Sequence, residues 1–353
     1  MAITAQQRAA LFAQSTRQHE QMLPKQTITQ LGQNLTISLP KARLLSRVFL
    51  NVKADINVQH ASASSIESDA FTPYKLLRRI TMDLNNGFSP FVIGGKELAL
   101  YDMLNTNPQL LIADGKEDAN GLVQGGNFVA SAEGTSNKVE FTLQLPVCLN
   151  QRDPYGLILL QNESTQVTVS CDVISNFAEM FKSVTGYTIA LTSCEITPMV
   201  ETFSVPSIKE AFPDLSTIKL VNSKAETFIQ GQNVVKMNVG TIYRKIMLYI
   251  TDETGAPVAH DDIAGNIELI FNQADIPYAM APRLLAAKNT DDYGYPLPKG
   301  VYVFDFSTQG VPNLGSSRDL IDTQKLTEFW IRFTTAAGGT VNVISEALAT
   351  LKA

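Results

Sequence analysis

Apolar and polar residues alternate along this chain in short runs with a period of two. That is the mark of strands with one buried face, because successive side chains of an extended strand point to opposite sides. Val48, Leu50, Val52, Ala54, Ile56 and Val58 alternate with Asn51, Lys53, Asp55 and Asn57, which predicts one long strand. Val139, Phe141, Leu143 and Leu145 alternate with Glu140, Thr142 and Gln144, and Val167, Val169, Cys171 and Val173 with Thr168, Ser170 and Asp172. The later part of the chain does the same in Ile246, Leu248, Ile250, in Tyr302, Phe304, Phe306, and in Phe329, Ile331, Phe333. Asn85-Asn86-Gly87, Glu253-Thr254-Gly255 and Ala337-Gly338-Gly339 supply turns between the runs. Helical patterning is confined to the start and to Glu97–Leu104 and Met280–Ala287, so no strand–helix alternation supports a doubly wound sheet. The fold class expected is all-β, built of antiparallel sandwiches.

The two halves can be laid over each other. Gly32-Gln33-Asn34-Leu35 recurs as Gly231-Gln232-Asn233-Val234, and Val48, Leu50, Val52 then fall in phase with Ile246, Leu248, Ile250. Val139 matches Val301 and Val167 matches Phe329 at one common, shorter separation. The common order argues for a duplicated sandwich. The division expected is a helical arm over 1–26, a first unit over 27–203 and a second over 204–353. A chain of 353 residues is long enough for two cores.

Charge is uneven. Up to Ala54 there are seven basic residues (Arg8, Arg17, Lys25, Lys41, Arg43, Arg47, Lys53) against one acid, Glu20; this +6 leaves −12 on the remainder of a chain whose net charge is −6. A basic end on an acidic body suits an anionic neighbour, and equally a solvated face. The overall sign argues against a nucleic-acid coat. Cys148, Cys171 and Cys194 are too few and scattered for a disulfide framework, and read as small buried hydrophobes of a reducing compartment. The opening residues lack the apolar core of a secretory signal, so the chain is expected to be made soluble.

Catalytic constellations are missing. The chain has no Gly-x-Ser-x-Gly elbow, Walker loop, His-Glu-x-x-His or Cys-x-x-Cys. Gly94-Gly95-Lys96 lacks the flanking residues of a phosphate loop and reads as a turn; His260-Asp261-Asp262 and the acidic stretch Asp114–Gly121 read as solvated loops. No cofactor, metal or catalytic residue is expected.

The start carries a different signal. Thr4 and Gln7 are spaced as a capping box, and good helix formers follow to about Met22, before Pro24. The apolar stripe is broken by Ser15, Thr16 and His19, so a helix over Thr4–Met22 has little stability of its own. It is read as an arm, dispensable for folding, that docks on a neighbouring subunit or lipid surface through Arg8, Leu11, Phe12, Arg17 and Lys25.

Several stretches, in order, resemble the major capsid proteins of tectiviruses, tailless phages with an internal membrane, and among them the kind infecting Gram-positive hosts. They are Leu44-Leu45-Ser46-Arg47-Val48-Phe49-Leu50, Phe71-Thr72-Pro73, Leu76-Leu77-Arg78-Arg79-Ile80, Lys96-Glu97-Leu98-Ala99-Leu100 and Leu145-Pro146-Val147. Asp214-Leu215-Ser216-Thr217, Ile242-Tyr243-Arg244 and Pro298-Lys299-Gly300-Val301-Tyr302 continue the series. The resemblance implies a double jelly roll, a homotrimer with a pseudo-hexagonal outline, and an icosahedral shell around an internal membrane. It also implies neighbouring trimers, membrane lipids and vertex and minor capsid proteins as partners, no sequence-specific nucleic-acid binding, and assembly in the host cytoplasm into the virion capsid. Two other readings stay open from the residues alone: a sugar-binding sandwich protein, disfavoured by the single Trp330, expected in the core, and a phage receptor-binding spike.

Overall fold

A computed structural model describes residues 5–85, 87–106, 127–149, 155–161, 164–307 and 320–350. Helix α1 (Ala5–Ser15) opens the chain and is followed by β1 (Gln18–Met22), β2 (Gln26–Ile28), β3 (Asn34–Ser38), β4 (Leu44–Gln59), β5 (Ser65–Ile66), β6 (Leu77–Leu84) and β7 (Phe88–Ile93). After α2 (Gly95–Asp102) come β8 (Phe128–Val129), β9 (Thr135–Pro146), β10 (Ile158–Leu159), β11 (Val167–Val173) and β12 (Thr188–Phe203). The second half holds β13 (Thr217–Phe228), β14 (Gly231–Met237), β15 (Ile242–Asp252), β16 (Ile263–Phe271), β17 (Asp275–Met280), α3 (Pro282–Tyr293), β18 (Val301–Asp305), β19 (Ile321–Asp322), β20 (Phe329–Thr335) and β21 (Gly339–Thr350).

In the first half, β1 and β2 together edge β12, which pairs with β4 and through it with β9; the facing sheet runs β3-β11-β6-β7. The second half repeats the permutation as β13-β21-β15-β18 against β14-β20-β16-β17. Each half is therefore a complete jelly roll, and the chain is a double jelly roll. The two are joined by a short parallel pairing, Val221 with Phe91 and Asn222 with Val92, which makes one nine-stranded sheet of the facing sheet of the first half and the β13-β21-β15-β18 sheet of the second.

The repeat extends to register. Ile80, Met82 and Leu84 pair with Ile93, Phe91 and Phe88, as Ile267, Leu269 and Phe271 pair with Met280, Tyr278 and Asp275; every residue is shifted by 187, as are the starts of α2 and α3. The β4–β12 ladder breaks register between Glu201 and Thr202, and the β15–β21 ladder at the matching place, between Tyr243 and Lys245. Strand β4 thus corresponds to β15 and β11 to β20 in the phase the hydrophobic pattern predicts. Two matches fall on the right strands in the wrong register. Leu35 is buried whereas Val234 is exposed, a slip of one, and Val301 faces the first half whereas Val139 faces its own core.

Burial follows the alternation where a strand has one dry face. Leu50 is buried and Lys53 is exposed, ion-paired with Glu140 at 3.1 Å. It fails for β15, whose Ile246, Leu248 and Ile250 face the second core while Met247 and Tyr249 belong to the core of the first half. Trp330 is not core: it lies in the opposite phase to Phe329, Ile331 and Phe333 and is half-buried. Cys171 and Cys194 are buried free thiols, pushed up to about 12 by burial, while Cys148 is only half-buried.

Candidate assembly surfaces

The N-terminal residues lie in two elements rather than one helix. Helix α1 ends at Ser15, where the amide and hydroxyl of Thr16 both donate to the Phe12 carbonyl, and residues 18–22 extend along β12, with Gln18 opposite Phe203 and Met22 opposite Met199. The expected helix to Met22 is overridden because β12 offers an open edge of backbone partners to a segment whose own apolar stripe is broken. The cap residue Thr4 lies outside the described residues. Phe12 is buried with Leu44 and Leu157, its ring edge-on to Phe203 at 5.3 Å. It anchors α1 to its own chain and is not free for a partner. Arg8 and Leu11 are half-buried, and Arg17 and Lys25 are exposed, the latter paired with Glu195 at 2.8 Å.

The junction of the two halves is polar at its centre. Glu346 on β21 meets Arg244 at 3.1 Å and accepts from the Tyr101 hydroxyl of α2, while Asp305 takes Lys245 at 3.0 Å and the Tyr293 hydroxyl at 2.7 Å. Burial alone would raise the Glu346 carboxyl, but Lys219, Arg244 and Lys245 outweigh it and hold it below its ordinary value. The same contest holds Asp305 low, chiefly through Lys245. Lys219, wholly buried, is lowered to about 8 by desolvation, with the Glu346 charge opposing. Asp102 is pushed well above the usual carboxylate range by burial, against the Gln144 amide and the Arg47 charge. Such a network fixes how the halves sit, because a mispaired arrangement would strand charges away from water. The sequence did not point to it: these residues are far apart along the chain.

The first half has a counterpart pair. Arg47 donates to both oxygens of Glu201 at 2.9–3.1 Å and to Gln144 at 3.0 Å, and its guanidinium lies over Phe49 at 4.5 Å. Arg47 faces Glu201 across the ladder just as Lys245 faces Glu346.

Among the described residues the polar clusters singled out in the sequence are held in structural contacts. His260 shares a hydrogen bond with the Tyr302 hydroxyl at 2.8 Å and Asp261 is clamped by Arg283 at 2.6–2.9 Å. Among the described residues no cluster of His, Cys, Asp and Glu could hold a metal ion; Asp114–Gly121 lies outside them. Gly94 caps α2, and the Glu97 carboxylate folds back over it, where a side chain at position 94 would clash. No helix is long and apolar enough to cross a membrane, among the described residues.

Two jelly rolls sharing one sheet are the fold found in double jelly-roll viral capsid proteins. The chain is similar to the major capsid protein of Sulfolobus turreted icosahedral virus, with TM-score 0.68 and 14% identity over 95% of this chain and 97% of that one. It is similar also to the PBCV-1 virus capsid, with TM-score 0.63 and 10% identity over 94% and 93%. A third likeness is to the major capsid protein P2 of bacteriophage PM2, with TM-score 0.53 and 10% identity over 95% and 98%. These neighbours are structural proteins rather than enzymes. No protein-family model and no curated protein sequence matches the chain.

Proposed function

We propose that this chain is the major capsid protein of a virus, a trimeric capsomer that tiles an icosahedral shell. The observation that carries the reading is the duplicated strand order of this chain, whose fold is similar over nearly the full length to capsid proteins of 10–14% sequence identity. Two similar sandwiches per chain suit a six-sided tile made of three chains. The units are residues 27–203 and 204–353, the first completed by β1 of the preceding segment; in that segment, 1–26, Phe12 anchors and Arg8, Leu11, Arg17 and Lys25 contact a neighbour or membrane.

The ordered tectivirus-like stretches favour a phage of Gram-positive hosts with an internal membrane, to whose anionic headgroups the basic N-terminal region would be attracted. Neighbouring trimers and vertex and minor capsid proteins are the other partners, with assembly in the host cytoplasm. Light scattering on the soluble protein tests the capsomer: it should return three times the chain mass of 38.6 kDa. A single-chain mass at high concentration would contradict it.

A further inference from the structure

Because the fold is duplicated, each half is a control for the other, and inside the sandwich the two differ at one place. In the second half a cavity of about 260 Å³ opens between β13 and β14. Its walls are Leu220, Met237, Tyr243, Val343 and Ala347, of which all but Leu220 are fully buried in that half's core. The Tyr243 hydroxyl is satisfied by the Asn238 carbonyl at 2.8 Å, so the ring offers the cavity an apolar surface.

The matching space in the first half is filled. Leu23, whose amide donates to the Pro198 carbonyl, is buried there with Val200 and Thr202. By the paired registers of β12 and β21, the second half has Lys224, Ser345 and Ala347 in those positions. Ser345 and Ala347 are shorter than the residues they match. Lys224 lies opposite Val343, on the inner face of the sheet, because cross-strand partners share a face. Its ammonium is drawn aside to the Lys236 carbonyl of β14 and to Glu226 at 2.8 Å. The cavity is the space these three exchanges leave. At its mouth Asn222, exposed and directly opposite Ser345, adds a side-chain amide.

We propose that this cavity binds a single-chain aliphatic carboxylate, its tail against the apolar walls and its head at Lys224. An apolar cavity of roughly 150 Å³ holds a benzene molecule, and on that scale this one takes about ten non-hydrogen atoms, the size of octanoate. An ammonium has three N–H donors, and Lys224 spends two on Glu226 and the Lys236 carbonyl, which leaves one for a ligand oxygen. Its pair with Glu226 is more than a third exposed on both sides and holds it only weakly. The apolar walls disfavour a small inorganic anion, which would lose its hydration there. The site goes beyond the capsid reading and does not depend on it.

Isothermal titration of the native protein with sodium octanoate should show saturable binding of one ligand per chain, and butyrate, too short to fill the cavity, should bind far more weakly. Lys224→Gln should weaken octanoate binding by about tenfold or more, the loss expected for a hydrogen bond between charged groups, and leave octanol binding unchanged. Lys224→Leu with Ser345→Val, which copies the first half, should abolish binding of both ligands without lowering the melting temperature. Dihexanoyl phosphatidylglycerol, a two-chain lipid used below its micelle concentration, should not bind; if it binds in place of octanoate, the source is a membrane lipid and the single-chain assignment is overturned. No saturable octanoate binding, or binding that survives in the filled variant, also overturns the proposal.

Discussion

At the scale of single residues, the junction makes stability depend on pH in a way that can be assigned. Lys219 has its folded pKa lowered to about 8 from an ordinary 10.5, because burial disfavours its charge more than Glu346 favours it. Below about pH 8 it is protonated in both folded and unfolded chains, and the cost of burying the charge is fully present. As pH rises from there towards 10.5 the unfolded chain holds a proton that the folded one has released, so stability rises, by at most about 1.4 kcal/mol per pH unit. Thermal melting of the native chain and of Lys219→Met between pH 7 and 10 should therefore diverge in favour of the native chain. A difference that does not vary with pH would refute this assignment. Pattern alone could not reveal such a residue. Lys219 sits in β13 as a charge in a strand, and only the docking of α2 and its neighbours on that face turns it inward. Trp330 shows the converse: its place in an alternating strand suggested core, yet the alternation of Phe329, Ile331 and Phe333 puts it on the other face.

At the scale of elements, the strands were legible and the N-terminal segment was not. Runs such as Val48–Val58 have one dry face and announce themselves, whereas β15 and β21, dry on both faces, show a blurred alternation because Met247, Tyr249 and Ile344 serve the other half. Residues 18–22 have no strand pattern at all; they are extended because β12 supplies backbone partners, a tertiary effect that local propensity does not encode. The expectation that this segment is dispensable for folding changes accordingly. Phe12→Ala should cost about 3 kcal/mol by emptying the pocket against Leu44, Leu157 and Phe203. Removing residues 1–23 should lower the melting temperature further by stripping β1 from the sheet; an unchanged melting temperature would mean that the segment is held as loosely as its sequence suggests.

At the scale of the whole molecule, the duplicated order was readable as a repeated rhythm of strands, but not its exact register nor the shared sheet, since a slip of one residue leaves the rhythm intact while exchanging faces. The shared sheet is what gives the chain a direction. One half presents β7 and α2, the other receives them on β13 and β21, and the same two surfaces remain at the far ends, β17 with α3 and β1 with β12. On the proposed reading a chain built this way joins copies of itself, and its described residues hold no cluster that could bind a metal ion. The most direct measurement is electron microscopy of the purified protein at high concentration, alone and with anionic lipid vesicles. The account predicts six-sided tiles of three chains that pack edge to edge into curved sheets over the vesicles, whereas isolated single chains or unbranched fibres under both conditions would contradict it.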